Sequence, residues 1–193
     1  MPPADGGAAI AQERTPVPCA HCGENTVAAV FDGIDGERRA YCCTGCAAAA
    51  RWIADSGLGD YYRWRQVPGA RVGAVQDFRG WDRADILDAH GALEGDTRTI
   101  RFAVSGMHCA ACAWLIDKAL RREPGVVDVS ANAIDGRVRL AWRPAEVSLS
   151  SLLARVAGLG FMPSLPASPQ RDAERRREHR ERLIGLGIAG LGT

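Results

Sequence analysis

The chain has 193 residues, of which 47% are apolar and 24% charged, a globular composition with room for one or two small domains and their connectors. Its formal net charge of +1 gives no electrostatic footprint for a nucleic acid, so no such partner is expected. Seven cysteines, gathered in clusters, point to metal or redox chemistry rather than to a secreted disulfide framework.

Residues 1–17 are rich in Pro, Ala and Gly and read as a disordered leader. They have neither the basic start nor the apolar core of a signal peptide, so the cysteines are expected in the reducing cytosol. A first domain is expected over 18–66. It opens on the knuckle Cys19-Ala20-His21-Cys22-Gly23. A hairpin follows, with Val27 to Phe31 and Arg38 to Tyr41 flanking the turn-rich 32–36. Next comes Tyr41-Cys42-Cys43-Thr44-Gly45-Cys46, running into an alanine-rich helix. Two cysteine groups, one on a knuckle and one at a helix start, have the layout of a small zinc-ribbon or treble-clef-like site, in which four thiolates close a tetrahedral shell. Cys19, Cys22 and Cys46 are the natural ligands. Cys43 is favoured as the fourth because Cys43 to Cys46 repeats the C-x-x-C spacing, with Cys42 as the alternative. Zinc or copper would fit, and a metal would supply folding free energy that so short a segment lacks. His21, lying between two ligands, is expected to face solvent.

Residues 67–96 read as a linker with Pro68, several glycines and scattered charge, and His90 there reads as a surface residue. From Thr97 the pattern becomes regular. Strands are expected over 97–104, 126–131, 137–142 and 161–165, and helices over 111–120 and 149–159. Asp135-Gly136 marks a hairpin, and Ser148 an N-cap. The order β-α-β-β-α-β is that of the ferredoxin-like split fold, so the class is α+β with a second domain over 97–167.

The first strand runs into Gly106-Met107-His108-Cys109-Ala110-Ala111-Cys112, which puts two cysteines on a loop and at a helix N-terminus. That position favours thiolates, and two soft thiolates suit Cu(I). Ala113 stands where a haem attachment motif requires His. A dithiol redox site at Cys109 and Cys112, or two merely structural cysteines, are the competing readings.

This stretch resembles the G-M-x-C-x-x-C motif of heavy-metal-associated (HMA) domains, found in copper chaperones and at the N-termini of copper-transporting P-type ATPases. The resemblance implies Cys109 and Cys112 as Cu(I) ligands, Met107 as internal support for the loop and Phe161 as an aromatic shielding the site. His108 occupies the variable position and takes no ligand role. The cysteine-rich part, with Gly57-Leu58-x-x-Tyr61-Tyr62-x-Trp64-Arg65 after it, is similar to the N-terminal domain of the copper ATPases that serve cbb3-type cytochrome oxidase assembly. What that implies is a cytoplasmic region, at the inner face of the bacterial plasma membrane, that binds Cu(I) and delivers it or regulates transport. It would receive metal from a copper chaperone or glutathione and work with the remainder of the ATPase. A zinc-stabilised protein-interaction module remains an alternative for the first domain.

Beyond Pro166, residues 168–182 are densely charged and Arg-rich, reading as a juxtamembrane helix. Residues 183–193 are apolar but too short to span a bilayer, and read as the start of a truncated transmembrane helix. None of the energy-coupling motifs of a P-type ATPase, D-K-T-G-T or C-P-C, occurs in the sequence, so this chain by itself is not expected to be an enzyme.

Overall fold

A computed structural model describes residues 15–34, 37–74 and 76–165 of the chain. The leader except its last three residues, the charged segment 168–182 and the apolar end 183–193 lie outside the described residues. Among the described residues no helix is long and apolar enough to cross a membrane.

The first domain holds two small antiparallel ribbons. β1 (Val17–Pro18) pairs with β2 (Asn25–Thr26) around the knuckle, and β3 (Val30–Ile34) pairs with β4 (Glu37–Tyr41). α1 (Thr44–Asp55) buries Cys46, Ala47, Ala49, Ala50 and Ile53 on one face, so the alanine run supplies both helix propensity and close packing. α2 (Asp60–Trp64) follows after one turn at Gly57.

The later part of the segment expected to be a linker, residues 79–94, is instead built onto the second domain, whereas Pro68 and Val72 before it pack on the first. It forms a 3-10 turn (Arg79–Asp82), α3 (Ala84–His90) and β5 (Gly91–Glu94). β5 has little strand propensity of its own, but it hydrogen-bonds along β6 (Thr97–Ser105) through a tight turn at Gly95. Asp82 reaches across to accept the Ser150 amide in the first turn of the last helix at 2.9 Å. His90 sits in the last turn of α3.

After β6 come α4 (Ala110–Arg121), β7 (Val126–Asn132), β8 (Arg137–Trp142), α5 (Leu149–Gly158) and β9 (Met162–Ser164). Ser148 caps α5 by accepting the Ser151 amide. The sheet runs β5-β6-β8-β7, with β9 sharing the same edge of β6 as β5, nearer the Gly106–Cys112 loop. All pairings are antiparallel, as the split fold requires. Alternation in β6 and β8 sends Ile100, Phe102, Val104, Val138 and Leu140 inward against Leu115, Ile116 and Leu120 of α4 and Leu152, Leu153 and Val156 of α5. Trp142 is buried in this core. Ile53, Leu58 and Tyr61 of the first domain join the same apolar cluster.

Candidate metal centres

At the end of β6 the chain turns through Gly106 with φ +90°, a conformation that a side chain strains. Met107 then points inward and is 5% exposed. Cys109 is the N-cap of α4, and its carbonyl accepts the amides of Cys112 and Ala113. The two thiols stand 3.3 Å apart and are unbonded, the separation of a thiol–thiol hydrogen bond rather than of a disulfide. Phe161 is buried, with its ring edge close to Gly106.

The thiols are unequal. Burial works against ionising Cys109, but the amides of Gln66, Cys112 and Ala111 and the Cys112 thiol outweigh it and hold Cys109 below an ordinary thiol. Burial and the neighbouring Cys109 push Cys112 up. Cys109 is therefore the thiolate that forms first. Although they lie on a loop and at a helix start, Cys109 is 6% exposed and Cys112 1%. The segment that closes over them, from Tyr61 to Ala70, runs from α2 of the first domain into the stretch after it, which packs back on the knuckle where the Gly69 amide donates to the His21 carbonyl.

In that domain the thiols of Cys19, Cys22, Cys42 and Cys46 all lie within 4.8 Å of one another. Cys42 Sγ is 3.5 Å from Cys22 Sγ and 3.6 Å from Cys46 Sγ. A tetrahedral zinc shell with Zn–S of about 2.3 Å sets sulfurs about 3.8 Å apart, so the donor set fits such an ion closely. Cys43, the expected fourth ligand, is not in this group. It is the N-cap of α1, and its sulfur accepts the Cys46 amide at 3.4 Å. The cap geometry turns Cys43 onto its own helix and leaves Cys42 to face the knuckle. Burial opposes ionisation of Cys43, but the Cys46 amide, neighbouring thiols and Arg71 draw it down. Cys19, against burial, is drawn down to about 7 by the amides of Cys22, Cys42 and His21, while burial and the Cys22 thiol push Cys42 up to about 12.

His21 does not face solvent. It is fully buried, its Nδ1 lies 2.9 Å from the Tyr62 hydroxyl, and burial followed by the Arg65 charge lowers it to about 4, so it is neutral. Arg65 braces the knuckle from α2, donating to the carbonyls of Ala20 (2.8 Å) and His21. Sequence reasoning gave Arg65 no role, because its partners lie more than forty residues away.

Residues 18–93 match the family model of the metal-binding domain of cation transport ATPases, and residues 101–162 match the heavy-metal-associated domain. The chain thus carries the two metal-binding matches in tandem, the cysteine-rich one first and the heavy-metal-associated one second. The two matches together cover more than two thirds of it, and the first runs through the segment expected to be a linker. A copper-exporting P-type ATPase of Bacillus subtilis is 36% identical over 66 residues, 34% of this chain and 8% of that one. One from Staphylococcus haemolyticus is 31% identical over 75 residues, 39% of this chain and 9% of the other. The chain thus spans under a tenth of the length of these curated relatives. Among solved structures, the Cu(I)-loaded N-terminal domain of a potential copper-translocating P-type ATPase from Bacillus subtilis is 36% identical, with 36% of this chain and 86% of that one covered at a TM-score of 0.35.

Proposed function

We propose that this region binds Cu(I) at Cys109 and Cys112 and passes it on by thiolate exchange. The cysteine-rich domain holds a structural zinc ion at Cys19, Cys22, Cys42 and Cys46. The observation that carries the copper reading is the reduced thiol pair at the N-cap of α4, with one thiol drawn toward thiolate. Two soft sulfurs on one loop suit a low-coordinate soft cation, whereas four at mutual contact suit a closed tetrahedral shell. Near-linear coordination requires sulfurs on opposite sides of the metal, so the thiols at 3.3 Å must spread as Cu(I) enters. Cys109 makes the first bond, and Cys112 gives up its proton to complete the pair.

In this reading the chain serves the cytoplasmic side of a copper-transporting ATPase in the group that supplies cbb3-type oxidase assembly. Its donor is a copper chaperone or glutathione, and its recipient is the remainder of the transporter. The chain itself hydrolyses no ATP. Competition for Cu(I) against a chromogenic chelator, with the zinc-loaded chain, tests the assignment. One equivalent of tight binding that disappears in Cys109→Ser/Cys112→Ser supports it; unchanged binding in the double variant refutes it.

A further inference from the structure

We propose that the cysteine-rich domain is a removable cover over the Cys109/Cys112 site, so that Cu(I) enters or leaves only when the contact between the two domains parts. The proposal rests on the copper reading of that pair. A metal loop at the end of a sheet has no neighbour within its own domain on the outward side, yet here both thiols are almost wholly buried.

The cover is a continuous stretch. Trp64 at the end of α2 meets Trp114 of α4 edge to face, with ring centroids 5.2 Å apart. The Gln66 backbone N–H approaches the Cys109 sulfur. Ala70 closes the far side, where a Cβ on Gly160 would lie 2.5 Å from the Ala70 carbonyl oxygen and one on Gly106 would lie 3.5 Å from its Cβ. Tyr61 is fully buried in the same apolar cluster as Met107, Cys109, Cys112 and Phe161.

The interface is also incompletely satisfied, which suits a joint that opens. The Tyr61 hydroxyl and His21 Nε2 are both buried with no well-aligned hydrogen-bond partner among the described residues. Both lie against Gly69, where a Cβ would be 3.0 Å from the hydroxyl and 3.6 Å from the ring nitrogen. Leu159 and Arg65 lie near enough to offset part of their desolvation, and the rest is relieved when water reaches them. A rim bond from Arg122 to the Ser56 carbonyl, 2.9 Å long, is readily exchanged for water.

Closed, the site leaves no approach for a donor. Exchange needs the Cys109 thiolate to bond to Cu(I) while a donor thiolate is still attached. That donor thiolate then leaves, and Cys112 displaces the second one, its proton passing to solvent. Copper stays Cu(I) throughout and no electron is transferred. The step requires donor sulfur, metal and Cys109 to meet, and therefore requires the cover to lift.

The test uses the zinc-loaded full chain, reduced, with Trp64→Ala and Arg122→Ala as cover variants. Transfer from a Cu(I)–chelator complex is followed by stopped flow, equilibrium affinity is measured separately, and alkylation of Cys109 and Cys112 by iodoacetamide is read by peptide mass spectrometry. Wild-type transfer should saturate with donor concentration at an opening-limited rate. Trp64→Ala should accelerate transfer and alkylation about tenfold, equal to 1.4 kcal/mol, with affinity little changed. Arg122→Ala, at the rim, should act in the same direction and stands in should Trp64→Ala unfold the domain. Wild-type thiols alkylated as fast as free cysteine, or rates that neither variant alters, would overturn the cover. If no chain binds Cu(I), the copper reading fails and the alkylation rates still decide the cover.

Discussion

Replacing Cys42 and Cys43 separately by serine distinguishes the ligand from its neighbour. Cys42 Sγ is in contact with the thiols of Cys22 and Cys46, whereas Cys43 Sγ caps α1. A structural zinc shell in a small domain is worth about 10–16 kcal/mol in apparent binding free energy, so losing one of four thiolates forfeits about 3 kcal/mol, over a hundredfold in affinity. Cys42→Ser should therefore shed zinc during gel filtration at low free metal and lower the melting temperature of the first domain. Cys43→Ser replaces a sulfur cap by a preferred oxygen cap and should cost under about 0.5 kcal/mol. The assay is zinc per chain by elemental analysis, with melting followed before and after chelation. Full zinc in Cys42→Ser together with loss in Cys43→Ser would refute the assignment.

Other expectations follow from the same geometry. Cu(I) binding at neutral pH should release protons, chiefly from Cys112, whose pKa is raised by burial and then by Cys109; affinity should fall as pH is lowered, and a pH-independent affinity would contradict this. Gly160→Ala places a Cβ at φ +91° and 2.5 Å from the Ala70 carbonyl oxygen, so it should cost about 1–3 kcal/mol in denaturant midpoint measurements. Asp82→Ala removes the acceptor of the Ser150 amide and should cost about 1 kcal/mol, showing that residues 79–82 stabilise the second domain; no change in its melting would contradict that.

The second domain was legible because its signals are local. Alternation over 97–104 and 137–142 and helical spacing over 111–120 survive without knowledge of partners, and the structure places elements there within a residue or two. The C-x-x-C pair was equally plain. What spacing could not resolve was Cys42 against Cys43. Helix α1 begins at Thr44, so the residue before it is committed to capping, and that one-residue boundary decides which sulfur faces the knuckle. His21 was misjudged because its surroundings come from α2 and the α5–β9 loop, far away in sequence. The weak strand at 91–94 exists through pairing along β6, which no local propensity reports. Burial of the Cys109/Cys112 loop is likewise a long-range property, set by Trp64 packing on α4 and Ala70 packing on Gly106 and Gly160.

The central claim is that Cu(I) is held by Cys109 and Cys112 while the other cluster keeps zinc. X-ray absorption at the copper and zinc edges, on the chain loaded with one equivalent of each ion, tests it most directly. Copper with a two-sulfur shell and zinc with a four-sulfur shell are the expected spectra. Copper surrounded by three or four sulfurs, or zinc displaced from its sulfur shell by that single equivalent of Cu(I), would contradict it.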